Sequence, residues 1–159
     1  MIINGQQVTC SRCTTCNVYK PPRTFHCAAC NGCILVHDHH CPWTGTCIGL
    51  RNHRYFLAFG YCTSFQSILA LICDAIYLSR ELPLEALVIT LCIFTSLMIC
   101  CVGGLSCYHS RLACLNLTTN EEIRNRYPNG NPHDQGFRAN CRVFCQGTEH
   151  TEYVPRIAV

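Results

Sequence analysis

The sequence predicts an α-helical membrane protein: two transmembrane helices that follow a small, metal-pinned, Cys-rich domain of short hairpins and turns. Three observations carry this. Residues 55–78 and 84–108 are long and almost free of charge, only a five-residue loop with Pro83 separates them, and eight of the 17 cysteines crowd into residues 1–54 with most of the histidines. Composition narrows the field further. With 49% hydrophobic and 13% charged residues the chain is not a disordered tail. The net charge of +3 is scattered, with no Lys/Arg stripe interleaved with aromatics, so nucleic acid is excluded as a partner.

Residues 1–54 form the first expected domain. Met1 to Val8 lacks the cationic flank and apolar run of a cleavable secretory signal, and the cysteine total is odd. Both point to free thiols and metal chemistry in a reducing compartment rather than a disulfide framework. Within 10–47, Cys13-x2-Cys16 and Cys27-x2-Cys30 have the spacing by which a tight turn offers two thiolates to one tetrahedral zinc ion. His26, Cys33, His37, His39, His40, Cys41 and Cys47 are further candidate ligands, more than two four-ligand sites can use. Some of them must do other work. In an extended Asp38-His39-His40-Cys41, His39 and Cys41 share one side while His40 faces the other and is free to bind metal. A neutral imidazole beside a thiol can take its proton and leave a thiolate nucleophile, and a carboxylate can fix the tautomer. Asp38 is the obvious orienter, although full extension puts it on the His40 side, so that contact needs a bend. The repeated Cys-x2-Cys-x2-Cys triplets do not fit iron–sulfur ligation, because Cys41-Pro42 comes eight positions after Cys33 rather than four.

Residues 55–78 have Asp74 as their only charged member, and as a helix they reach roughly 36 Å, enough to cross a bilayer. Residues 84–108 are equally able. The 79–83 loop forces an antiparallel hairpin, and its Pro suits a helix start. Five basic residues precede the first span, one lies in the loop and six follow the second, so the positive-inside rule places the Cys-rich domain and both ends in the cytosol. Residues 109–159 then form a cytosolic C-terminal segment. In it Thr118 or Thr119, followed by Glu121 and Glu122, reads as a helix cap with acids in the first turn.

The residues from Cys13 to Cys145 resemble the DHHC family of membrane protein S-acyltransferases, the palmitoyltransferases. The resemblance is carried by Cys13-x2-Cys16, Lys20-Pro21-Pro22-Arg23, His26-Cys27-x2-Cys30-x2-Cys33, Asp38-His39-His40-Cys41-Pro42-Trp43 and Cys47-Ile48-Gly49 with Asn52. Beyond the second span, Thr118-Thr119-Asn120-Glu121 is similar to the family's Thr-Thr-x-Glu motif, and Asn140 matches the Asn of its C-terminal motif. The resemblance implies one structural zinc on Cys13, Cys16, His26 and Cys33 and another on Cys27, Cys30, His40 and Cys47. It implies that Cys41, with His39 and Asp38, attacks a long-chain acyl-CoA such as palmitoyl-CoA, forms an acyl-enzyme and passes the acyl group to cysteines of substrate proteins. It also implies that Thr119 supports Asp38 and that Asn140 ties the C-terminal segment to the membrane domain. Lys20, Arg23, Arg51 and Arg54 are expected either to meet the CoA phosphates or to lie against anionic headgroups.

Relatives ordinarily carry two further spans ahead of the Cys-rich segment, which line the acyl cavity. The sequence reading therefore expects a fragment of a longer product, a chain completed by a partner, or a weak enzyme. A membrane-tethered zinc adaptor that recruits proteins is the alternative function. The expected location is an endomembrane, Golgi or endoplasmic reticulum, or the plasma membrane. His37 is read as a solvated bystander, and His53 stands where many relatives have Tyr.

Overall fold

The structure, a computed structural model, describes residues 2–80 and 83–147. It divides into two units: residues 1–54 with 111–159, and Tyr55–Ser110. Met1, residues 81 and 82 of the expected loop, and 148–159 of the expected C-terminal segment lie outside the described residues.

The first unit is built from four antiparallel two-stranded hairpins: β1 (Ile2–Ile3) with β2 (Gln6–Gln7), β3 (Arg12–Cys13) with β4 (Val18–Tyr19), β5 (Phe25–Cys27) with β6 (Gly32–Ile34), and β7 (His39–Cys41) with β8 (Thr46–Ile48). Their turns use residues that tolerate a left-handed backbone: Asn17 at φ 57°, Asn31 at φ 49° and Gly45 at φ 64°. Register sets what faces what. His26 pairs with Cys33 and His40 with Cys47, so each hairpin brings an imidazole and a thiol level with one another. Hairpins this short are marginal in water and bury little apolar surface. Gly49 lets the chain leave β8 against its neighbour: a Cβ there would stand 2.7 Å from the Leu35 carbonyl and 2.9 Å from Ile34 Cγ2.

Two short helices complete this unit. α3 (Thr119–Ile123) opens on a full capping box, with Thr118 Oγ1 accepting from the Glu121 N–H and the Glu121 carboxylate accepting from the Thr118 N–H. α4 (Phe137–Gln146) ends on Gly147, left-handed at φ 63°.

The two long helices are α1 (His53–Leu78) and α2 (Glu85–Cys114). Each runs past its apolar stretch at the polar end, α2 by six residues beyond Tyr108. Composition marks where hydrocarbon would stop, but a helix continues until its backbone is turned. Here Asn116, at φ 48°, does this, with Leu117 N–H closing on the Leu112 carbonyl at 2.9 Å. In Tyr55–Ser110 the helices meet through small residues: a Cβ on Gly60 would come within 2.5 Å of Ser106 Oγ, and Tyr61 Oη lies 2.6 Å from Ser110 Oγ. Ser64, Ser67, Ser106 and Ser110 donate to carbonyls one turn back, which satisfies hydroxyls that lipid cannot. Phe59, Phe65, Ile93 and Phe94 point outward, and only 6% of each apolar window is buried, the reverse of core helices in a soluble protein.

Candidate active site and metal centres

The hairpins gather eight ligand-type side chains into two groups. Cys13, Cys16, His26 and Cys33 form one, and Cys27, Cys30, His40 and Cys47 the other, and within each group all ligand atoms lie within 4.8 Å of one another. In the second, His40 Nδ1 is 3.7 Å from Cys27 Sγ, 3.4 Å from Cys30 Sγ and 3.6 Å from Cys47 Sγ, and the Cys30 and Cys47 sulfurs are 3.4 Å apart. In the first, His26 Nδ1 is 3.3 Å from Cys16 Sγ and 4.0 Å from Cys33 Sγ. A tetrahedral zinc with bonds of about 2.3 Å to sulfur and about 2.0 Å to nitrogen sets its donors roughly 3.5–3.8 Å apart. Both groups fit that spacing and could hold a metal ion. Charge argues the same way: burial and the Cys13 and Cys16 sulfurs push the Cys33 thiol up to about 12. Sulfurs this close cannot all ionise without a cation among them.

Asp38, His39 and Cys41 stand apart from both groups. β7 begins at His39, so Asp38 lies before the strand, free of its alternation, with its N–H donating to the Ile48 carbonyl at 2.9 Å. Val36 turns the chain there at φ 45°, and the bend lets Asp38 Oδ2 reach His39 Nδ1 at 2.6 Å. Cys41 stands two residues further along β7, and its thiol acts on the same imidazole. The Asp38 hydrogen bond pushes the His39 imidazole up; burial opposes it, and the Cys41 thiol adds to it. The result is a stronger base. Cys41 is 3% exposed. Burial pushes its thiol up, but the Thr44 side chain and N–H, His39 and the Trp43 N–H outweigh burial and hold it below the ordinary thiol value, while the Thr44 hydroxyl donates to the Cys41 carbonyl at 3.4 Å. Thr44 was not singled out by spacing, and the one available signal was its place in the turn after Cys41.

Asp38 is also held from the C-terminal segment. The Thr119 backbone N–H donates to Asp38 Oδ1 at 2.7 Å. The Thr119 contact is thus made by the main chain, while its buried hydroxyl has no partner among the described residues. The helix-cap reading holds beside it, on Thr118.

The basic residues divide. Arg23 is not available to a phosphate, which corrects the sequence expectation: its side chain is 2% exposed and grips Glu121 at 2.8 and 2.9 Å and Asn116 Oδ1 at 2.8 Å. Desolvation would raise the Glu121 carboxyl, but the Arg23 charge and hydrogen bonds hold it below the usual range. Arg54 Nη1 donates to the Cys145 and Gln146 carbonyls, at 2.9 and 3.0 Å. Lys20 lies over the Phe25 ring at 5.9 Å, and Arg51 is exposed. Asn140, 1% exposed, donates to the Cys114 carbonyl at 2.8 Å and to Asp134, and so ties α4 to the last turn of α2. His37 is buried rather than solvated, packed at 5.6 Å from the Phe25 ring. Burial pushes its imidazole down, more than the Asp38 charge raises it.

The sequence profile described as DHHC palmitoyltransferase matches residues 7–126, which include the eight ligand-type residues, Asp38, His39, Cys41 and Thr119 but not Asn140. The chain belongs to the DHHC palmitoyltransferase family. It is 39% identical over 158 residues to "Probable protein S-acyltransferase 5" of Arabidopsis thaliana, covering 91% of this chain and 33% of that protein. It is 39% identical over 136 residues to "Palmitoyltransferase ZDHHC18" of Homo sapiens, covering 78% of this chain and 34% of the relative. With human "Palmitoyltransferase ZDHHC9" it shares 35% identity over 161 residues, or 90% and 43% of the two chains. The chain therefore spans between a third and under half of the length of these curated relatives. With two helices of spanning length in a membrane-bound family, this DHHC chain is an integral membrane protein.

Proposed function

We propose that this chain carries the catalytic part of a protein S-acyltransferase, moving a long-chain acyl group such as palmitoyl from acyl-CoA to cysteines of cytosol-facing proteins. The observation that carries the reading is the Asp38–His39–Cys41 line: a carboxylate 2.6 Å from one imidazole nitrogen, and, two residues along the same strand, a buried thiol that belongs to neither metal group. The thiol proton passes to His39, and the Cys41 sulfur attacks the thioester carbonyl. The C–S bond to CoA breaks, and the departing CoA sulfur takes the proton back. A substrate cysteine then gives its proton to His39 and attacks the acyl-Cys41 thioester; the bond from the acyl carbon to the Cys41 sulfur breaks, and that sulfur takes the proton from His39. Exchange of one thioester for another is nearly balanced, so position and thiolate character do most of the work.

Cys13, Cys16, His26 and Cys33 would hold one structural zinc, and Cys27, Cys30, His40 and Cys47 the other. Zinc there would supply a cross-link between hairpins too small to fold alone. Lys20 and Arg51 are the side chains left for CoA phosphates, with Arg54 anchored at α4. The membrane helices would keep the acyl tail in hydrocarbon, with the Cys-rich domain and both ends in the cytosol of an endomembrane or plasma membrane. Spans from a longer product or a partner chain would complete the acyl cavity.

The test is a labelled palmitoyl-CoA incubation. A hydroxylamine-sensitive adduct on Cys41, lost in Cys41→Ser with zinc content unchanged, is expected. An adduct that survives Cys41→Ser, or none in any longer form of the protein, overturns the reading.

A further inference from the structure

Asp38 is faced by a second imidazole. His53, the first residue of α1, is 7% exposed and holds Nε2 3.9 Å from Asp38 Oδ1, the same oxygen that accepts the Thr119 N–H. Two contacts aim the ring. Its root is fixed by the His53 N–H closing on the Gly49 carbonyl at 3.0 Å, and its plane by Phe144 of α4, edge-on with centroids 5.0 Å apart at 75°. The Asp38 carboxylate is fully buried, and a buried carboxylate holds its place through the donors around it. His39 approaches Oδ2, whereas Thr119 and His53 approach Oδ1, so the two oxygens are held from opposite sides. At 3.9 Å the contact is longer than a hydrogen bond, and catalytic contacts that are long at rest tighten once a site is loaded.

Resting on the acyl-transfer reading, we propose that His53 is a positioning residue: its Nε2 clamps the Asp38 carboxylate in the plane that supports His39. His53 touches neither the acyl donor nor Cys41, and no proton moves at it. Phe144 enters the same arrangement by fixing the plane of the His53 ring, which gives α4 a bearing on the active site that the family motifs alone do not suggest.

His53→Phe keeps an aromatic ring against Phe144 and removes both ring nitrogens, while His53→Gln keeps a donor of similar reach. In the full chain in membranes, two rates are read: formation of the Cys41 adduct from palmitoyl-CoA, and alkylation of Cys41 by iodoacetamide, followed by mass spectrometry of its peptide, which needs no acyl donor. His53→Phe is expected to slow both about tenfold, leaving the half-saturating palmitoyl-CoA concentration and the zinc content unchanged, and His53→Gln to recover most of the loss. In an Asp38→Asn background His53→Phe should add nothing. Wild-type rates in His53→Phe, or equal losses in the Phe and Gln variants, overturn the proposal. If Asp38→Asn itself reacts like the wild type, the Asp38–His39–Cys41 reading fails instead.

Discussion

Thr119 holds Asp38 with its main chain, N–H to Oδ1 at 2.7 Å, across 81 positions of sequence. Thr119 is the first residue of α3, where the N–H has no helical partner and is free to serve another group. The capping box on Thr118 and Glu121 satisfies the neighbouring donors, and the grip of Arg23 on Glu121 anchors that box to the Cys-rich domain. One short helix thus delivers a single backbone donor to the carboxylate beside His39.

Thr119 variants separate hydroxyl from backbone. Thr119→Val should leave Cys41 adduct formation within about twofold of the wild type, since the lost hydroxyl has no partner. Thr119→Pro fits the first helical position, and the extended Thr118 (φ −105°, ψ 157°) suits the residue before a proline, so only the N–H is removed. It should slow adduct formation about tenfold or more with the zinc content intact.

Thr44→Val removes a hydroxyl that lies beside Cys41 and lowers its thiol. The pH midpoint of Cys41 alkylation should move upward, and the rate at neutral pH should fall about threefold to tenfold. A midpoint that does not move would remove Thr44 from the account.

Acid should unfold the Cys-rich unit in two stages. His133 is buried, and burial, with the Arg23 charge, holds its imidazole down to about 4. The unfolded histidine takes up a proton near 6.5, so the stability that neutral His133 contributes above that pH is lost as pH falls toward 4. Glu121, held below the usual carboxylate range, contributes stability above its unfolded value of about 4.3, and this is lost as pH falls through its folded value. Limited proteolysis across pH should show both losses. Arg23→Gln leaves Glu121 unpaired in a buried place, should cost about 3–5 kcal/mol at neutral pH, and should weaken the lower stage.

Removal of metal tests the hairpins. Cys16→Ser and Cys30→Ser should each release about one zinc per chain by native mass spectrometry, and chelation should open residues 10–50 to protease while abolishing Cys41 acylation. Intact folding and full metal content in either variant would overturn that ligand set.

Much of this was legible in the sequence because it is local. Two long apolar runs suffice to mark spanning helices, and two-residue gaps between cysteines suffice to mark metal-binding turns. Strand alternation separates His40 from His39 and Cys41, since neighbouring side chains on an extended backbone must diverge. Asp38 escaped that rule only because the turn at Val36 ends before the strand begins.

Contacts between distant residues were not legible. Arg23 reads as one of four basic residues that meet either CoA phosphates or anionic headgroups, yet it is consumed by Glu121, 98 positions away. His37 reads as a surface imidazole until Phe25 is placed on it. Thr119 reads as a helix cap or a support for Asp38, but that its main chain makes the bond is not visible there, and His53 acquires a role only when Asp38 and Phe144 are brought to it. Spacing along a chain dictates chemistry within a turn or a strand, because covalent geometry limits what near neighbours can reach. Which remote donor meets a buried carboxylate depends on how hairpins and helices pack, and only the folded chain decides that.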